Sequence, residues 1–261
     1  MVTPPATVSA RRLAIPAAVT LGSVVCAGAA AYQLVTAGWN PAAGTPADPA
    51  HVSLAAWFLM LGQFFDLIDG LVARALNATS TFGLQLDSLA DFLSFGATAA
   101  LLLVVAGNSR WATAAGLVVV CCAAVRVARY NVEKPPDVTP LAFKGLTTPG
   151  AGGAIASWVL VADALDRPNR ILGMLSHPLL ERVAAAMYLV LPVLAVLLAG
   201  LMISDRRYPD VTKLYVRGLL PRWPLAALAV LGTVTAPSVP FAIYYLGYAV
   251  RGLFGGRFDG G

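Results

Sequence analysis

Four aspartates crowd one short segment, FFDLIDGLVARALNATSTFGLQLDSLADFLSFG, residues 64–96. Asp66 and Asp69 are spaced i, i+3 and Asp87 and Asp91 i, i+4, so on helices each pair shares one face. Carboxylates offer only oxygen donors, and four of them suit a pair of hard divalent cations: Mg²⁺, Mn²⁺ or Ca²⁺. Softer ligands are not placed to compete, because Cys26, Cys121 and Cys122 lie inside apolar runs without ligand spacing.

The surrounding chain is apolar. Of its 261 residues 58% are hydrophobic and 12% charged, with mean hydropathy +0.75. Soluble domains carry about 25% charged residues, so the composition predicts an integral membrane protein, all-α, folded as one polytopic helical bundle over residues 1–261. The net charge of +5 forms no basic cluster on a soluble face, and nucleic-acid binding is not expected. Apolar runs of spanning length or slightly less predict eight helices, near 13–37, 53–76, 86–107, 111–130, 147–165, 183–203, 223–237 and 239–255. The last two form a tight hairpin across "PSVP". The first has the paired arginines of a secretory signal, but its apolar run reaches about residue 37 and is read as a retained span.

Basic residues orient this bundle. With the N-terminus inside, Arg11, Arg12, Arg74, Arg126, Arg129, Lys134, Lys144, Arg206, Arg207, Lys213, Arg217, Arg222, Arg251 and Arg257 face the cytoplasm. Arg110, Arg167, Arg170 and Arg182 face outward, so both termini are expected to be cytoplasmic. His51 and His177 then fall in outer loops, away from the aspartates. Asp66 lies roughly two-thirds of the way across a ~30 Å core, and the chain turns through "NATSTFG" to bring Asp87 and Asp91 back to the same depth.

Uncompensated carboxylates near lipid would cost several kcal/mol each. An internal ion-pair network would need as many bases as acids, and Arg74 alone is close in sequence. A cation-transport pathway would need polar residues through the outer halves of several helices, which are instead almost purely Ala, Val and Leu. Gly70, Ala73 and Arg74 continue the face of Asp66, and the small residues leave room for a bulky group to approach the backbone.

The pattern Asp66-x2-Asp69-Gly70-x2-Ala73-Arg74-x8-Gly83-x3-Asp87-x3-Asp91 resembles, position for position, the signature of the CDP-alcohol phosphotransferase family. The resemblance implies that Asp66, Asp69, Asp87 and Asp91 hold two Mg²⁺ or Mn²⁺ ions and that Asp91, beside Asp87, is the general base. It also implies that Asp66, Asp69, Gly70, Ala73, Arg74, Thr81 and Gly83 contact the CDP-lipid. The reaction is then attack of an alcohol on the lipid-side phosphorus with release of CMP, at the cytoplasmic face of the cell membrane. A homodimer is typical of the family.

Further segments are similar to the family's phosphatidylserine synthase branch: "TSTFGLQLDSLADFLSFG", "RVARYNV", "FKGLTTPGAGG" and "LMISDRRYP". That branch takes CDP-diacylglycerol and L-serine. Inositol phosphate, glycerol phosphate or choline as acceptor, and a divalent-cation transporter, remain the alternatives. Two positions depart from the branch, Pro16-Ala17 in place of Pro-Asn and Gly145-Leu146-Thr147-Thr148-Pro149 in place of Gly-Leu-Pro-x-Pro. Arg126 and Arg129, with Asn131 and then Lys144, are the candidate acceptor-binding residues, because arginine captures a carboxylate bidentately.

Overall fold

The computed structural model describes residues 10–40, 42–43, 45–76, 80–133, 142–166, 178–209 and 238–254. In chain order these form α1 (Ala10–Thr36), α2 (Pro49–Ala75), α3 (Thr81–Asp91), a π-helical turn (Phe92–Thr98), α4 (Ala99–Gly107) and α5 (Arg110–Glu133). Then come β1 (Ala142–Lys144), α6 (Thr148–Asp166), α7 (Pro178–Ile203), β2 (Arg207–Pro209) and α8 (Ser238–Phe254). Among the described residues, five segments are long and apolar enough to cross a membrane: Ala14–Thr36, Pro49–Ala73, Thr81–Gly107, Arg110–Glu133 and Pro178–Ile203. They correspond to five of the expected spans. The helices expected at 147–165 and 239–255 are present as α6 and α8 but fall outside that class. The expected helix 223–237 lies outside the described residues, as do His177, Lys134, Arg167, Arg170, Lys213, Arg217, Arg222 and Arg257 and the side chains of Arg11, Arg12 and Arg74.

Large apolar side chains point away from the bundle, with Leu189 80% and Val35 77% exposed. In water such a surface would drive aggregation; in a bilayer it is the lipid face. Hydrocarbon supplies no hydrophobic force between helices, so close packing of small residues must hold them together. α6 follows that rule. Its residues from Gly150 to Ser157 are all buried, and it packs against α2, α7, α8 and the π turn. A Cβ on Gly152 would meet the Phe95 carbonyl oxygen at 2.8 Å, so only glycine allows this approach.

Two local devices set the helices that carry the aspartates. Ser80 caps α3: its Oγ accepts the Gly83 N–H at 3.0 Å. The third span therefore starts at Thr81 rather than near residue 86, and Gly83 sits in the first helical turn rather than in a loop. Immediately after Asp91 the helix widens into the π turn, where Thr98 Oγ1 donates to the Leu93 carbonyl at 2.9 Å. The extra residue in that turn lets the face bearing Asp87 and Asp91 differ from the buried face of α4.

β1 and β2, expected as loops, pair antiparallel with Phe143 opposite Tyr208. Gly145 ends β1 at φ +75°, donates its N–H to the Arg206 carbonyl at 2.8 Å, and leaves no space for a Cβ against the Met202 carbonyl. Gly145→Ala is therefore expected to destabilise the protein by about 1–3 kcal/mol. Thermal unfolding in detergent checks this against Gly200→Ala, where a Cβ meets nothing within 4 Å. Equal melting temperatures for the two variants would refute the strain at Gly145.

Candidate active site

α2 and α3 deliver their acidic ends to one place. One carboxylate oxygen each from Asp66, Asp69 and Asp87 lies within 4.8 Å of the others. Asp91 completes the group, with its carboxyl in hydrogen-bonding reach of Asp66. Asp69 is 6% exposed, while Asp66, Asp87 and Asp91 are half-buried. The Oδ1 atom of Asp91 is buried and has no hydrogen-bond partner.

Two like charges about 4 Å apart repel by about 4 kcal/mol at an effective dielectric of 20. Among the described side chains, Arg126 is the base within electrostatic range of both Asp66 and Asp91. A single guanidinium cannot offset four carboxylates. Clustered, partly desolvated oxygen donors with an unsatisfied oxygen on Asp91 fit a hard divalent cation, and the four aspartates are the residues able to hold it.

Arg126 itself is 7% exposed. Its Nη1 donates to Thr148 Oγ1 at 3.2 Å, and its guanidinium carbon sits 5.3 Å from the centroid of the Tyr130 ring. Its Nε makes no hydrogen bond. Such a cation, held over a ring beside carboxylates and not fully engaged, can receive an anionic group.

The other expected acceptor residues separate into two sets. Asn131 Oδ1 accepts from Ser88 Oγ at 2.8 Å, tying α5 to α3 between Asp87 and Asp91. Arg129 instead pairs with Asp205 at 3.2 Å and Glu133 at 3.6 Å, and donates to the Ile203 and Ser204 carbonyls. Lys144 pairs with Glu133 at 3.2 Å. Arg129 and Lys144 thus fasten the β1–β2 ladder to α5 and α7. Gly70 and Ala73 are half-buried on the last turns of α2, and Thr81 is exposed at the start of α3. His51 bonds Gln33 at 2.8 Å, joining α2 to α1 away from the aspartates.

Sequence reading overlooked Gln63. It lies i−3 from Asp66 on the same face of α2, donates to the Pro149 carbonyl at 2.9 Å and accepts from the Tyr245 hydroxyl. A lone amide in an apolar helix, one turn before a carboxylate, was the available signal.

A family model described as CDP-alcohol phosphatidyltransferase matches residues 13–197. The chain belongs to that family. It is 29% identical over 210 residues to the CDP-diacylglycerol–serine O-phosphatidyltransferase of Helicobacter pylori, covering 77% of this chain and 80% of that one. The enzyme of the same name from Saccharomyces cerevisiae is 41% identical over 108 residues, 39% of each chain. Its Bacillus subtilis counterpart is 29% identical over 144 residues, 53% of this chain and 71% of that one. Membership makes this chain a transferase, in a family that generally works with divalent metals. The aspartate signature lies wholly within the matched segment, and α8 lies beyond it.

Carboxylates brought this close are expected to bind Mn²⁺ as a unit. Titration of the purified protein, followed by electron paramagnetic resonance, should show Asp69→Asn and Asp87→Asn each weakening Mn²⁺ by more than about tenfold, the loss that even outer-shell changes can cause. Asp205→Asn, in the Arg129 pair, should leave binding unchanged. Wild-type affinity in both signature variants would rule out the site.

Proposed function

We propose that this chain is a CDP-diacylglycerol–serine O-phosphatidyltransferase of the cell membrane, folded as one domain over 1–261 with its active site facing the cytoplasm. The observation that carries the reading is the convergence of Asp66, Asp69, Asp87 and Asp91 beside a buried, incompletely engaged Arg126. The names of the relatives from H. pylori, S. cerevisiae and B. subtilis support serine as the acceptor. The distribution of basic residues supports eight spans with both termini inside. We further propose that the working form is a homodimer, as the family resemblance suggests.

In this reading the serine hydroxyl oxygen bonds to the lipid-side phosphorus of CDP-diacylglycerol. The bond from that phosphorus to the CMP oxygen breaks, and CMP leaves. Mg²⁺ or Mn²⁺ held by the four aspartates would neutralise the diphosphate and the charge growing on CMP. Asp91 takes the hydroxyl proton, a role open to its unbonded oxygen. Arg126 receives the serine carboxylate and so holds the hydroxyl toward Asp91; about 1 Å of misplacement can cost a hundredfold in rate. Gly70, Ala73, Arg74, Thr81 and Gly83 line the path of the CDP moiety.

Purified protein in mixed micelles with radiolabelled CDP-diacylglycerol should release CMP on addition of serine, only with Mg²⁺ or Mn²⁺, and should stop with EDTA. Asp91→Asn should lower kcat by about a hundredfold or more while CDP-lipid binding changes little. Release of CMP with inositol phosphate, glycerol phosphate or choline but not with serine would overturn the acceptor assignment. Metal flux into liposomes without CMP release would overturn the enzyme.

The two arginines of "RVARYN" are expected to diverge. Arg126→Lys loses a two-pronged contact and should raise KM for serine by about tenfold. Arg129→Lys should leave that KM unchanged and lower the melting temperature, because its partners are Asp205, Glu133 and two carbonyls. A wild-type serine KM in Arg126→Lys would show that the carboxylate binds elsewhere.

A further inference from the structure

α8 lies outside the family-matched segment, yet it reaches Gln63, one turn before Asp66. Tyr245 and Tyr248 are one turn apart on its inner face. That face packs on α6 at two glycines with the same spacing. A Cβ on Gly153 would meet the Tyr245 ring at 2.7 Å, and one on Gly150 would meet the Tyr248 ring at 3.5 Å. The Tyr245 hydroxyl donates to Gln63, one turn before Asp66, and lies within electrostatic range of Asp66. Tyr248 lies within electrostatic range of Arg126, whose bond to Thr148 is made two residues before Gly150. Tyr245 therefore lies near Asp66, and Tyr248 near Arg126. Arg126 is more than nine-tenths buried with an unbonded Nε, and that independently points to a ligand there.

We propose that α8 is part of the transferase site: Tyr245 and Tyr248 wall the space between Asp66 and Arg126 and set the size of the alcohol admitted there. The inference rests on the functional reading above, which puts the acceptor hydroxyl at Asp91 and its anionic group at Arg126. Two tyrosine rings make a rigid wall at small entropic cost, since each has two side-chain torsions. Their hydroxyls suit a polar acceptor. Tyr245 acts through Gln63 as a positioning residue.

Tyr245→Phe and Tyr248→Phe keep the rings that pack on Gly153 and Gly150, and Tyr245→Leu and Tyr248→Leu shrink them. The control is Tyr208→Phe, which removes a 3.3 Å hydrogen bond from β2 to the Ala249 carbonyl of α8. In the full-length protein, the phenylalanine variants should raise KM for serine by about threefold to tenfold, the worth of one hydrogen bond, with KM for CDP-diacylglycerol unchanged. The leucine variants should shift kcat/KM toward threonine, which adds a methyl group, by about tenfold relative to serine. Tyr208→Phe should lower the melting temperature and move neither quantity. If the Tyr245 and Tyr248 variants behave like Tyr208→Phe, the wall is refuted while the function stands. The phenylalanine variants decide the matter even where a leucine variant fails to fold. If wild type prefers another alcohol, the same comparison is made with that alcohol. No CMP release with any alcohol overturns the functional reading, and this inference falls with it.

Discussion

Repulsion among four carboxylates at a helix junction is the constraint around which this bundle is arranged. Asp66, Asp69, Asp87 and Asp91 are buried or half-buried where α2 and α3 meet, and they cannot be neutralised by Arg126 alone. A junction of two consecutive helices meets the demand, because each contributes one pair from one face. It also explains why the chain puts a firm Ser80 cap before one pair and a π turn directly after it. Any slip of α3 by one residue would rotate Asp87 and Asp91 by about 100° and scatter the cluster.

The remaining helices hold that junction in place by close approach. α6 is nearly all small residues where it is buried, which lets α2, α7, α8 and the π turn crowd around it. Charged residues divide by depth. Arg126, inside the bundle, lies within electrostatic range of the carboxylates, while Arg129, Lys144, Glu133 and Asp205 form a partly exposed network that fastens the short ladder across the ends of α5 and α7. Exposed ion pairs of this kind contribute little individually, so the ladder's backbone bonds and the Gly145 turn carry more of that fastening than the charges do.

The aspartate cluster was legible in the sequence because its information is local: helical spacing, a short connection and the depth of each residue all follow from counting. The five apolar spans were legible for the same reason. The start of α3 was misplaced by about one turn because hydropathy locates apolar runs, whereas the helix begins at a polar cap. The π turn has no periodic signature in "FLSFGAT", and strands of three residues have no period to detect. α6 was legible as a helix, but not its place at the centre of the packing, which its glycines and alanines allow. Tyr245 was invisible as a site residue because its partner, Gln63, is 182 positions away. Arg126 and Arg129 look equivalent in sequence, and only their neighbours in space tell them apart.

Burying charge at a membrane interface draws on the same stability that the rest of the fold supplies. A chain selected for stability alone would replace Asp69, 6% exposed, with a small apolar residue. The carboxylates persist against a cost of several kcal/mol, and close approaches that leave no room for a Cβ flank them: Gly152 on Phe95, Gly153 on Tyr245, Gly96 on Ala123. Tight packing beside repelling groups keeps the helices from parting to admit water. It follows that these glycines contribute to function as much as to stability, since a looser junction would relieve the repulsion by solvation and remove the preorganised charge that makes the cluster a phosphate-handling site.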